Sequence, residues 1–328
     1  MQAWLCETLD GIDAMRWQTL PTPEPAAGEV RIAIEAASLN FPDLLTVVGK
    51  YQVKPPLPFV PGSEFAGRVD AVGEGVHHLK VGDAVAAIGS HGGFATHACV
   101  PAASVMPLPP GFATADGAAF AFTYGTSHHA LMDRAALQPG ETVLVLGAAG
   151  GVGTAALQIA KAAGARVIAA ASSDEKCALC TRLGADVSIN YSTTPLREAL
   201  KQATQGRGPD VVYDPVGGDL AEPAFRSIAW RGRYLVVGFA GGGIPALPWN
   251  LALLKGASVV GVFWGDFVRR EPKKHAAAMA QLAQWYTQGL VKPVIDSRLS
   301  MSELPAAYAR MGTRQVCGKV LLVNTSAA

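Results

Sequence analysis

Charge is scarce in this chain: Asp, Glu, Lys and Arg make up 16% of 328 residues, against roughly 25% in an average soluble protein. With half of its residues hydrophobic, it has a large interior to fill and is expected to hide more surface in a contact between subunits. The 27 basic and 26 acidic residues nearly cancel, leaving a formal net charge of +1. No run of Lys or Arg builds the positive footprint that holds phosphate backbones, which argues against nucleic acid as a partner. Long apolar runs are missing too: none reaches the roughly 18 residues of a membrane span. The start, Met1 to Glu7, lacks a basic region followed by an apolar one, so the expectation is a soluble, cytoplasmic protein with no membrane partner. Cysteine is sparse. Cys6, Cys99, Cys177, Cys180 and Cys317 are scattered and odd in number, which does not suit a disulfide framework. Cys177 and Cys180 form a C-x-x-C, but in a helix-like segment that spacing merely puts both thiols on one face, as ordinary packing does.

The length allows two domains, and the texture changes partway along. Up to Phe122 the chain is rich in Gly and Pro, with alternating runs such as Val30 to Glu35 and Phe65 to Val72. Alternation at period two predicts half-buried strands of a β domain, interrupted by one short helix from Pro42 to about Val48. From Gly140 a strand and helix rhythm takes over. Strands are predicted at Thr142 to Leu146, Arg166 to Ala171, Val187 to Ile189, Val211 to Tyr213 and Arg233 to Val237. Helices are predicted at Val152 to Ala163, Glu175 to Leu183 and Pro195 to Thr204. Such alternation gives a parallel sheet covered on both faces. A last apolar strand, Val259 to Phe263, is a candidate for pairing edge to edge with a second copy, as a homodimer. After a helix around His275 to Thr287, a final strand, Lys319 to Val323, returns to the first domain. The predicted division is 1–122 with 267–328 for the β domain and 123–266 for the nucleotide-binding domain.

Gly147-Ala148-Ala149-Gly150-Gly151-Val152-Gly153 follows a predicted strand and opens a helix. Glycines there let the backbone turn tightly and approach a pyrophosphate, whose charge meets the amides and positive dipole end of the helix. In the G-x-G-x-x-G register, Gly150 and Gly153 take the second and third places while Ala148 stands at the first, so the match is imperfect. The next strand ends at Ala171, where an NAD site would carry a carboxylate for the ribose hydroxyls. Ser172, Ser173 and Lys176 follow and suit a 2′-phosphate, which favours NADPH. Asp174 lies close enough to leave NADH open, and the loop composition alone also suits a solvated turn.

The ordered series Asn40-Phe41-Pro42-Asp43, Gly49-Lys50-Tyr51, Leu57 to Gly67, Val72 to Val76, Val81 to Val85, Gly147 to Gly153, Asp214 to Gly218 and Gly318-Lys319 resembles the medium-chain dehydrogenase/reductase family. Within it, the series is similar to the quinone oxidoreductase (zeta-crystallin-like) and enoyl reductase branches. The resemblance implies an α/β protein: a GroES-like β domain, a Rossmann doubly wound parallel sheet domain, and a cleft where nicotinamide meets acceptor. It also implies that no zinc is used, since Ser63 stands where zinc-dependent relatives carry His, Asn40 to Asp43 lie where they carry Cys, and Cys99 stands alone where they carry a four-Cys cluster. A catalytic zinc needs three protein ligands.

By the same resemblance Asn40 contacts the acceptor carbonyl and Tyr51 donates a proton, although Asn40 also suits a helix cap and Tyr51 a packed aromatic. Asp43 suits the helix start better than acid-base work. Thr126, Gly150, Gly151, Val152, Gly153, Gly238, Phe239, Phe263 and Gly265 are implied to line the cofactor, with Tyr191 and Arg314 joining Ser172, Ser173 and Lys176 around the phosphate. The adjacent histidines His77-His78 and His128-His129 point apart and read as structural or solvated. Three functions follow as expectations: an NADPH-dependent quinone reductase, a 2-enoyl thioester or enone reductase, and an NADPH-binding, crystallin-like protein with little catalysis.

Overall fold

The computed structural model describes residues 1–324. It divides into two compact units, 1–122 with 295–324 and 123–294. The first unit carries β1 (Gln2–Leu5), β2 (Arg16–Thr19), β3 (Glu29–Leu39), β4 (Glu64–Val72), β5 (Ala84–Ile88), β6 (His97–Pro101), β7 (Val105–Pro107), β14 (Ile295–Ser300) and β15 (Lys319–Val323). Its helices are α1 (Phe41–Thr46), α2 (Thr114–Gly117) and α11 (Leu304–Gly312), and α3 (Ala121–His128) begins in it. The main sheet runs β14-β15-β3-β4-β5-β7, with β6 also paired to β3. Alternation in β3 sends Val30, Ile32 and Ile34 into a core with Phe65, Val85, Val100 and Leu322, closed by Leu304 and Tyr308 of α11. This is the GroES-like unit, and its last strand arrives from the far end of the chain: β15 lies antiparallel to β3 with Val320 opposite Leu39.

The second unit holds β8 (Thr142–Leu146), β9 (Arg166–Ala171), β10 (Val187–Asn190), β11 (Val211–Asp214), β12 (Arg233–Val236) and β13 (Ser258–Gly261). Among them run α4 (Gly151–Ala162), α5 (Asp174–Arg182), α6 (Leu196–Ala203), α7 (Ala221–Ser227), α8 (Asn250–Lys255), α9 (Trp264–Arg270) and α10 (Pro272–Thr287). Every strand pair is parallel, in the order β10-β9-β8-β11-β12-β13. Counted within the unit that is 3-2-1-4-5-6, the doubly wound order whose reversal lies between β8 and β11. β8 is buried along its whole length, as a central parallel strand under helices on both faces must be.

The second crossing between units corrects the sequence reading. It falls between Val294 and Ile295, so 267–294, assigned above to the first domain, belongs to the nucleotide-binding unit. The cause is packing that local pattern does not reveal. The Trp264 indole fills the space above Gly125, where a Cβ would meet the ring at 2.6 Å. His128 Nε2 lies 2.7 Å from Gln281 Oε1 on α10, and the Gln158 amide bonds both the N–H and the C=O of Lys292.

Candidate active site

The turn after β8 is built from backbone. Gly147 adopts a left-handed φ of +58°, which a side chain tolerates poorly, and its amide oxygen accepts from Gly150 N–H at 3.0 Å. The tight-turn glycine therefore sits one place before Ala148, which accounts for the imperfect motif. Gly150 caps α4, whose first residues are Gly151, Val152 and Gly153; first-turn amides have no intrahelical acceptor and are offered to an anion. At Gly153 a Cβ would lie 2.3 Å from Gly147 O, so only glycine lets the helix sit this close to the turn. Across the reversal point, Asp214 Oδ1 accepts Val216 and Gly217 N–H at 2.8 Å each, and Oδ2 accepts the Tyr234 hydroxyl at 2.5 Å. Burial and the Asp214 charge push the Tyr234 phenol pKa upward. The two loops meet, since Val216 occupies the space beside Gly147. Gly238 and Phe239 follow β12 on this same end of the sheet, with Gly238 N–H 3.3 Å from Asp214 O. Phe263 is 54% exposed and precedes α9, whose first turn carries Gly265.

At the end of β9, Ala171 is buried and carries no carboxylate. Ser173 caps α5, its hydroxyl accepting Lys176 N–H at 3.3 Å, while Lys176 Nζ donates to Ser172 Oγ at 3.2 Å. One hydroxyl thus meets the ammonium, and the second caps the helix beside it. Asp174 is drawn elsewhere, accepting Asn190 Nδ2 at 2.7 Å. Tyr191 N–H bonds Ala171 O at 3.1 Å, which brings Tyr191 to this strand end. Arg314 is carried by the other unit, after α11, with a left-handed φ of +58°. Thr126 is buried on α3. Its neighbour Ser127 donates to Val152 O at 3.0 Å and lies 2.9 Å from the Tyr213 hydroxyl, tying α3 to the glycine turn.

In the first unit, adjacent strands assemble a buried polar cluster. The register sets Ser38 opposite Glu64 and Leu39 opposite Val320, so Asn40, Glu64 and Lys319 come together at one end of β3. Lys319 Nζ donates to Asn40 Oδ1 at 2.5 Å and to Glu64 Oε2 at 3.1 Å. Glu64 Oε2 also accepts Ser38 Oγ–H at 2.6 Å and Asn40 Nδ2–H at 3.1 Å, and Oε1 accepts Phe122 N–H at 2.8 Å. Asn40 is the N-cap of α1 and forms a capping box with Asp43, while its side chain also meets Lys319 and Glu64. In the Asp43 half of the box Oδ2 accepts Asn40 N–H at 2.8 Å, and Oδ1 accepts Ser63 Oγ–H at 3.0 Å. Burial lifts the Asp43 carboxyl to about 6 against the pull of these donors and of Lys319. Tyr51 is partly buried beyond α1; burial and the Asp43 charge raise its phenol, so it stays protonated and able to donate at neutral pH. Glu64, Lys319 and Ser38 were not singled out on sequence.

The positions where zinc-dependent enzymes of this pattern place ligands hold hydroxyl and amide groups already engaged with carboxylates. Among the described residues no three His, Cys, Asp or Glu side chains gather as a metal centre requires. This donor set does not fit a tetrahedral zinc. Cys180 is buried and Cys177 half-buried on α5, and burial raises the Cys177 thiol, as packing predicts. The 128–129 pair diverges: His128 meets Gln281, whereas His129 stacks on Phe267 at 4.0 Å and lies 2.9 Å from Asp133.

Residues 26–110 match the alcohol dehydrogenase GroES-like domain model and 151–284 the zinc-binding dehydrogenase model. The chain is 40% identical to mouse quinone oxidoreductase-like protein 2 over 90% of its own length and 84% of the mouse protein. Quinone oxidoreductase from Thermus thermophilus, solved alone and with NADPH, superposes with a TM-score of 0.85 at 34% identity, covering 98% of this chain and 100% of that one. Escherichia coli quinone oxidoreductase complexed with NADPH gives 0.90 at 27% identity over 98% and 100%.

Proposed function

The chain belongs to the medium-chain dehydrogenase/reductase family, in its quinone oxidoreductase-like branch, and on that premise we propose that it is an NADPH-dependent, zinc-independent reductase of quinones. The observation that carries the cofactor half is the strand end at Ala171: a missing carboxylate beside two hydroxyls and Lys176. Charge-assisted hydrogen bonds to a 2′-phosphate are each worth roughly 1.5 to 3 kcal/mol, enough to set a preference of ten-fold or more. The glycine turn suits a pyrophosphate, because glycine at 153 lets α4 sit against the turn and bring its first-turn amides to it. Gly151 and Val152 would offer their amides there, and Thr126, Gly238, Phe239, Phe263 and Gly265 would line the rest, with Tyr191 beside the phosphate. In the same reading Lys176→Ala raises the NADPH KM at least about ten-fold with kcat largely intact; an unchanged preference for NADPH over NADH in that variant removes the cofactor argument.

When bound, NADPH supplies a hydride from C4 of its ring. The chain orients the acceptor and steadies the charge it gains: Asn40 donates an N–H to the acceptor oxygen. Quinone and hydride give the hydroquinone monoanion, which one proton from water neutralises to the hydroquinone. Tyr51 favours a second reading, reduction of a 2-enoyl thioester or enone, where hydride reaches the β-carbon and the phenol protonates the α-carbon. Comparing NADPH oxidation by a benzoquinone and by a short enoyl-CoA separates the two: the faster acceptor identifies the class.

A homodimer belongs to this reading. β13 is the edge of its sheet, and Trp230, Trp249, Leu253 and Leu254 are each at least 67% exposed nearby in the chain. An edge strand flanked by apolar side chains suits a second copy of itself. Sedimentation at micromolar concentration should give twice the mass of one chain; a monomer contradicts it.

A further inference from the structure

We propose that Lys319 and Glu64 are positioning residues, locking the Asn40 carboxamide in one orientation so that it can meet the acceptor only as a hydrogen-bond donor. The inference rests on the reading of Asn40 as the acceptor contact. An ammonium has only hydrogens to give and an ionised carboxylate only lone pairs. Lys319 Nζ, 2.5 Å from Oδ1, and Glu64 Oε2, 3.1 Å from Nδ2, therefore assign both ends of the amide. Turning it over would set N–H against ammonium and oxygen against carboxylate.

Its oxygen is thereby committed and one N–H is spent on Glu64. The other N–H finds only Ser38 O and Oγ, both at 3.5 Å, the outer limit of a useful bond. That hydrogen is the one available to an acceptor oxygen. A buried ion pair is an expensive way to hold a sheet together, since apolar side chains of similar size do so at least as well. Here the pair is almost wholly covered, at 5% and 1% side-chain exposure. Three donors converge on a single Glu64 oxygen, and one of them is Asn40. The β15-β3-β4 register supplies the geometry: pinning the amide from two neighbouring strands fixes it to within the few tenths of an ångström that a transition-state contact demands.

Lys319→Met alone would leave the Glu64 carboxylate buried without its ammonium, so the test exchanges the pair together, Lys319→Met with Glu64→Gln, in the parent and in Asn40→Ala. The expected result is a kcat lower by at least about ten-fold in the parent background, with NADPH KM unchanged, and no further fall in the Asn40→Ala background, because the pair acts through Asn40. An equal fall in both backgrounds, or an unchanged kcat, overturns the proposal. A second readout does not depend on turnover. The Asn40 side-chain 15N–1H signals of the NADPH-loaded protein, assigned by their loss in Asn40→Ala, should be displaced by the two charges and relax toward ordinary amide positions in the exchanged pair. Unmoved signals overturn the proposal. Failure of the parent to reduce either acceptor sinks the functional reading instead, and these signals still decide the orientation.

Discussion

Gly153→Ala is expected to cost roughly 1–3 kcal/mol of stability and to remove NADPH binding, while Gly150→Ala keeps the fold and loses the coenzyme. The two glycines are three residues apart and do different work. A methyl at 153 would lie 2.3 Å from Gly147 O and 2.8 Å from Ala148 Cα. Both are backbone atoms with no rotamer to yield, so α4 must lift from the turn and carry its first amides away from the phosphates. At 150 the nearest protein atom would be 3.4 Å away and φ is −78°, which any residue adopts. The protein itself tolerates that methyl; what it obstructs is the space a pyrophosphate would use. Denaturant melts with NADPH titrations resolve the pair. Equal coenzyme affinity in Gly150→Ala and the parent would show that the turn binds no phosphate.

Asn40→Ala should lower kcat by roughly two orders of magnitude, the usual cost of losing one donor to a developing oxyanion, with NADPH KM little changed. Asn40→Asp is the sharper variant. It keeps the size and the Lys319 contact but replaces the donor Nδ2 with an acceptor next to Glu64, so it should lose as much turnover. Steady-state kinetics with a saturating acceptor measures both. A kcat near the parent value in either variant would reduce Asn40 to a structural residue.

What the sequence shows well is what neighbouring residues decide together. The run Thr142 to Leu146 is a buried strand in the structure, and Lys319 to Val323 pairs with β3 of the first unit. Ser172 and Lys176, four residues apart, meet because the Lys176 side chain, in the first turn of α5, reaches back past the cap residue Ser173. Partners distant in sequence are another matter. Lys319 and Asn40 are 279 positions apart, and only strand register brings them together; Gly318-Lys319 belongs to the series that carries the resemblance, but nothing in the sequence pairs Lys319 with Asn40. The helix 272–287 has the same amphipathic texture whichever unit it packs against. Its allegiance is set by single contacts such as Gln281 with His128, which periodicity does not encode. Asn40 shows the middle case: the residue type suits both a cap and a ligand contact, and its capping box with Asp43 is local while its contacts to Lys319 and Glu64 depend on distant strands.

The central claim is zinc-independent reduction by NADPH. Its most direct test is NADPH oxidation by benzoquinone, and by a short enoyl-CoA, using protein treated with a chelator and checked for residual metal. The account predicts turnover that is faster with NADPH than with NADH and indifferent to the zinc content. No oxidation with either acceptor, or a rate that rises and falls with bound zinc, would contradict it.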